Sequence, residues 1–179
     1  MRKITPILFL SLVFGCAQPK TSMESYFDLK EVLEEQVVSL AEMNARLEKV
    51  VEVAGEKESK ILELDSAGWV DQFDIITEFS LTEPRLVGVF NKRMSERVES
   101  YEVKEGMKSP LKHFSISSSD SSKSISSVLF SEKTIYVDFK ELTLEMKDGL
   151  IASFEVSGYQ KMALKDTTKY SIKAKVLLP

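Results

Sequence analysis

One cysteine and one histidine, Cys16 and His113, bound the chemistry open to this 179-residue chain. A lone histidine cannot build a multi-histidine metal centre, and zinc without thiolates would have to rely on carboxylates. His113 therefore reads as a structural or exposed residue at a strand edge. Ser109-Pro110-Leu111-Lys112 matches Ser-x-x-Lys by its letters, but proline in the second place and the missing partner motifs leave that match without a mechanism. Asp71 and Asp74 come nearest to a carboxylate pair in their segment. That segment reads as a strand, whose odd and even positions point to opposite faces, so the two cannot converge on one atom. There is no Gly-x-Ser-x-Gly elbow, no phosphate-cradling glycine loop and no calcium loop of spaced acids around a glycine. Trp69, Tyr101, Tyr136 and Tyr159 are aromatic residues of a kind that strands use for packing. The inventory predicts no catalytic residue, no cofactor and no metal.

The remaining reactive group, the Cys16 thiol, sits where targeting chemistry operates. Arg2 and Lys3 form a short basic start, Ile4 to Phe14 an apolar run interrupted by Pro6 and Ser11, and Gly15 a small residue at its end. This is the plan of a secretory signal peptide. The apolar run is about half of the roughly 20 residues that a spanning helix needs, which argues against a retained anchor. Val13-Phe14-Gly15-Cys16 resembles the lipobox of bacterial lipoproteins. The resemblance implies cleavage between Gly15 and Cys16, acylation of Cys16 as the new N-terminus, and attachment to a membrane through that lipid. Ala17, rather than aspartate, after the cysteine implies the outer membrane, facing the periplasm.

Acylation would leave the mature body without a thiol, so a protein exported to an oxidising compartment would fold without disulfides. Cleavage also removes Arg2 and Lys3, leaving 22 basic against 28 acidic residues and a net charge of -6. Such a body has no electrostatic footprint for nucleic acid and, taken whole, no reason to be drawn to anionic lipid.

Three segments follow: the signal peptide 1–15, a lipidated tether 16–22, and a single α+β domain over 23–179. Thr21-x-x-Glu24 matches a capping box, with Asp28 and Glu31 in the early turns, and predicts a helix from near Met23. Tyr26, Leu33, Leu40, Leu47, Ala54 and Ile61 then recur seven apart, which extends the predicted amphipathic helix to about residue 62. Gln36, Asn44 and Lys57 interrupt the companion rows, so the stripe suits a helix laid on a sheet better than a coiled-coil seam. Gly55 and the charged run after it would weaken the last turns.

From about residue 68 to 178 the pattern reads as antiparallel strands, about eight of them. Trp69 to Leu81 alternates at odd positions, Leu86 to Phe90 is apolar on both faces, and Val98–Lys104 and Leu111–Ile116 are short strands. Nine of the thirteen residues from Ser115 to Ser127 are serine, a composition suited to a mobile hairpin tip. Ile135–Phe139 and Leu142–Met146 alternate, Asp148-Gly149 marks a type I' turn, and the chain returns in a meander to Val176. The expected fold is thus one long N-terminal helix packed on a mostly meandering sheet.

With an address but no reactive constellation, the expected role is a non-enzymatic binding or interaction module of the cell envelope, monomeric, engaging an unknown envelope protein or apolar ligand. A carrier of lipid or another apolar ligand is the alternative, and requires a cavity between helix and sheet. A coiled-coil structural lipoprotein is a third reading, resting on the heptad spacing.

Overall fold

The computed structural model describes residues 26–179, so Gly15, Cys16, the tether and the Thr21 capping box lie outside the described residues. The long helix is the main correction. In its place the chain forms helix α1 (Leu29–Glu42), strand β1 (Arg46–Val53) and strand β2 (Glu56–Glu63). Asp28 caps α1 through its side chain, which accepts from the backbone of Lys30 and Glu31. Asn44 ends the helix. It takes a left-handed φ of 52°, its N–H bonds Ala41 O at 3.0 Å, and the N–H of Ala45 reaches Leu40 O at 3.0 Å, the paired bonds of a Schellman stop. The polar residue that merely interrupts the heptad in the sequence is the residue that stops the helix. Val50, Val51 and Val53 then favour a strand, and Ala54-Gly55, both at positive φ, turn β1 into β2. The six heptad positions are therefore spread over a loop, a helix, two strands and a turn, and no single helix carries a coiled-coil seam.

Helix α2 (Ser66–Thr77) is the second correction, because it occupies most of the segment expected as a strand. Trp69, Phe73 and Ile76, spaced four and three apart, are its buried side, and Asp65 caps it by accepting from Gly68 N at 2.8 Å. Those residues also alternate with polar ones over a short window, which is why a strand period fits the same letters. The inner strand expected over Leu86–Phe90 is instead the end of a short 3-10 turn (Pro84–Leu86) and a turn at Val87-Gly88, with strand only from Phe90.

The rest is sheet: β3 (Phe90–Met94), β4 (Val98–Val103), β5 (Leu111–Ser118), β6 (Ser122–Lys133), β7 (Tyr136–Lys147), β8 (Leu150–Met162) and β9 (Thr168–Leu177). The nine strands among the described residues belong to one antiparallel sheet, in the order β2-β1-β9-β8-β7-β6-β5-β4-β3. The meander is as expected from the C-terminal alternation, and Asp148 and Gly149 turn β7 into β8 at φ 51° and 83°. The serine tract is not a mobile tip. Its alternation places Ile116 and Ile125 in the core and serines on both faces, and only Ser119–Ser121 make the turn. The domain is therefore mostly β, with two short helices on one face.

Those helices and the sheet enclose a filled core. Trp69, Phe73 and Ile76 of α2 and Leu29, Leu33 and Leu40 of α1 are buried with Phe114, Leu142, Leu144, Phe154 and Val156 of the sheet. Phe73 meets Phe154 edge-on at 6.1 Å. Chain entry is tied to the sheet by two tyrosines. Tyr26 Oη donates to Phe90 O and accepts from Phe90 N, while Tyr101 Oη accepts from Phe27 N and donates to Glu99. Among the described residues no helix is long and apolar enough to cross a membrane.

Gln36 locks α1 to the sheet. Its side-chain amide, almost wholly buried, donates to Gly149 O at 3.0 Å and accepts from Ile151 N at 2.8 Å, so it satisfies two backbone groups of the β7–β8 turn. Gln36→Leu fills the same space but leaves those groups buried without partners, and should cost about 2 kcal/mol in urea unfolding.

Candidate functional site

The site arises because β6 to β9 outrun the helical layer. Even-numbered residues of β7 share the helix side of the sheet. Leu142, Leu144 and Met146 lie under α1 and α2 and are buried, but the same face continues outward through Lys140, Asp138 and Tyr136. Register places Leu129 and Ser131 of β6 beside Lys140 and Asp138, and Gly158 and Gln160 of β8 on their other side. Tyr170 of β9 lies opposite Gly158. The last turn of α2 closes the group from above: Lys140 Nζ binds Glu78 Oε2 at 2.6 Å and stands 3.9 Å from Asp138 Oδ2.

Two polar atoms in this cluster are buried and have no hydrogen-bond partner, Asp138 Oδ1 and Tyr170 Oη. One is an acceptor and the other a donor. Leaving either unpaired costs stability, which makes such atoms informative. Burial, reinforced by the Asp138 and Glu78 carboxylates, pushes the Tyr170 phenol up to about 12. Tyr136 is raised as well, first by burial and then by Asp138. Both phenols thus stay neutral donors, while Lys140 neutralises part of the acidic charge. Asp138 lines a cleft of about 400 Å³ that runs from Thr77, Glu78 and Arg85 across to Pro110 and Ser131, whereas Tyr170 opens on a separate depression beside Glu52 and Lys169.

Gly158 makes the close packing of this floor feasible. A Cβ there would stand 2.1 Å from Phe139 O and 2.9 Å from Tyr170 Oη. Only a residue without a side chain lets the Tyr170 ring lie across β8 and bring its hydroxyl toward β7.

The phenol has a testable signature. A folded-state value raised above the ordinary 10 means that the native protein holds this proton more tightly than the unfolded chain. The associated stability is complete below pH 10 and is lost as pH rises toward 12. Urea unfolding from pH 8 to 12 should therefore show a decline in the wild type that is smaller in Tyr170→Phe.

The chain matches no family model, no curated protein and no solved structure. What can be said of its chemistry comes from its own residues.

The residues singled out in the sequence are not brought together. Asp71 and Asp74 are both exposed on α2, one helical turn apart rather than on opposite faces of a strand. His113 lies on the helix-free face of β5, paired with Glu102 and Val128, and its carbonyl accepts from Ser127 Oγ. Ser109 is buried, and Lys112 Nζ bonds its backbone oxygen at 2.7 Å rather than its hydroxyl. Trp69 and Tyr101 are core, and Tyr159 stacks on Phe139 on the helix-free face. Only Tyr136 belongs to the candidate site. Among the described residues no three histidine, cysteine or acidic side chains are placed to hold a metal ion.

A larger depression, about 530 Å³, lies on the helix-free face among Glu48, Thr143, Glu145, Glu155, Lys173 and Lys175. Rows of hydroxyls run beside it, but they bond one another or neighbouring acids: Ser115 Oγ meets Ser126 Oγ at 2.9 Å, Ser124 Oγ donates to Glu145, and Lys173 pairs with Glu155. That face is internally satisfied. The cleft at Asp138 has an unsatisfied carboxylate oxygen in its lining, and is the better candidate.

Proposed function

We propose that this chain is a non-enzymatic binding module of the bacterial envelope, held on its membrane by a lipid on Cys16, with the cleft at Asp138 as its binding site. The binding half rests on one observation: a buried carboxylate oxygen without a hydrogen-bond partner, Asp138 Oδ1, in a residue that lines an open cleft. A small ligand that offers hydroxyl or amide donors answers that acceptor, and Lys140, shared between Glu78 and Asp138, offsets only part of the acidic charge there. The membrane half rests on the sequence around Gly15 and Cys16, with the outer membrane as its expected site. Packing of the core gives the alternative carrier reading no support, since Trp69, Phe73 and Phe154 fill the space between helices and sheet that an apolar ligand would need.

The two halves are separable by experiment. Intact-mass analysis of protein purified from its own host's membranes should give a chain beginning at an acylated Cys16, while Cys16→Ala should remain unprocessed. A free Cys16 thiol in wild-type protein would overturn the membrane half. Native mass spectrometry of the same preparation should show a small molecule at fixed stoichiometry, lost in Asp138→Asn. A ligand retained unchanged in Asp138→Asn would move the binding site elsewhere.

A further inference from the structure

The chain's acidic balance is an average, and one end of the sheet departs from it. There the β6–β7 turn and the β8–β9 loop lie side by side, joined by the N–H of Ala163 bonding to Ile135 O at 2.9 Å. The β1–β2 turn is tied to the start of the neighbouring strand through Ala54 N and Lys169 O at 3.0 Å. These tips lie past Lys140, the residue of β7 that the end of α2 reaches through Glu78. Three large apolar side chains project from them: Leu164 is fully exposed, Ile135 is 64% exposed and Met162 46%. Leu164 is also held at a left-handed φ of 66°, a conformation that glycine or asparagine adopts far more cheaply than leucine. Four exposed lysines, Lys133, Lys161, Lys165 and Lys169, stand on the β6–β7 and β8–β9 tips against two acids, Glu132 and Asp166, and the β1–β2 turn adds exposed Glu56 and Lys57, which offset one another.

Apolar tips ringed by lysines have the chemistry of an interfacial membrane contact. The apolar groups gain by leaving water, and lysine stems lie along the apolar boundary with their ammonium groups at the phosphates. We propose that this end of the sheet docks on a bilayer containing anionic lipid, with Ile135, Met162 and Leu164 entering the interfacial layer and the four lysines meeting headgroup phosphates. The contact does not depend on acylation of Cys16.

Labelling isolates it. In full-length protein carrying Cys16→Ser, which removes the only native thiol, a single cysteine at Leu164→Cys, Ile135→Cys or Asp120→Cys is coupled to a nitrobenzoxadiazole dye. Asp120 lies in the β5–β6 turn at the other end of the strands and serves as the control. On vesicles of phosphatidylcholine with about one third phosphatidylglycerol, the dyes at 164 and 135 should shift to the blue and be quenched by spin-labelled lipid, while the dye at 120 should not. Adding Lys161→Glu, Lys165→Glu and Lys169→Glu should abolish the shift at 164. An aqueous emission at 164 on vesicles with which the protein co-sediments would overturn the proposal, as would an equal shift at 120. Because Cys16 is absent throughout, failure here leaves the proposed lipid anchor untouched, and failure of the anchor leaves this contact untouched.

Discussion

Gly158→Ala should destabilise the domain by about 3 kcal/mol or more, through a clash that no rotamer can relieve. The new Cβ would lie 2.1 Å from a backbone oxygen, Phe139 O, which is held in the ladder between β7 and β8 and cannot swing away as a flexible side chain would. Relief requires separating two central strands or displacing the Tyr170 ring, whose hydroxyl is 2.9 Å from the same point. For a domain of this size each kcal/mol corresponds to roughly 2–4 °C in melting temperature, so a fall near 10 °C is expected in a thermal scan. The discriminating comparison is Tyr170→Ala combined with Gly158→Ala. If the clash with Phe139 O dominates, the double variant gains nothing back. If displacement of the tyrosine dominates, the two losses are strongly non-additive. A Gly158→Ala protein with wild-type melting behaviour would mean that the strands part there without cost, and the cleft floor would lose its physical basis.

The same small region shows how far the sequence was legible. Ile135, Val137 and Phe139 alternate at odd positions, whereas Leu142, Leu144 and Met146 alternate at even ones. Pairing of β7 with β6 runs unbroken from Tyr136 to Lys147, so no bulge restores the phase. The odd set must then face away from the helices, and Tyr136, Asp138 and Lys140 must face toward them. That switch of phase is written in the sequence and announces the polar cluster. Either half alone reads as an ordinary half-buried strand, which hides the switch. Partners on β8, β9 and the end of α2 come from farther off in the chain, and only register and the packing of α2 supply them.

The N-terminal misreading has a different cause. A seven-residue repeat of apolar side chains is evidence for a helix only while the chain stays helical, and Asn44 ends the helix well before Gly55 turns one strand into the next. Gln36, an interruption of the stripe on paper, is buried because it answers the backbone of a turn more than a hundred residues away. Hydrophobic periodicity cannot distinguish such a polar residue from an exposed one, since its partner is defined only by the fold. The C-terminal meander was legible for the opposite reason: its strands are neighbours in sequence, and the Asp148-Gly149 turn sets their register locally.

Trp69→Ala should be the other large loss, about 4 kcal/mol, because the side chain is wholly buried and the sheet beneath α2 cannot collapse to fill the void. Trp69→Phe should cost much less, within about 1.5 kcal/mol. The indole Nε1 is buried without a hydrogen-bond partner, so phenylalanine removes an unpaid desolvation as well as some contact area. Wild-type unfolding can be followed by the emission of this sole tryptophan, and the variants by circular dichroism. The effect also bears on the cleft. Trp69 packs on Phe73 at 5.6 Å, Phe73 packs on Phe154, and this row fixes the helix whose last turn carries Glu78 to Lys140. Loosening its first turn should release the far end, so Trp69→Ala should lose any molecule held at Asp138 at temperatures where the sheet is still folded, and Trp69→Phe should retain it. Equal retention by both variants would show that α2 closes the cleft without help from its buried face.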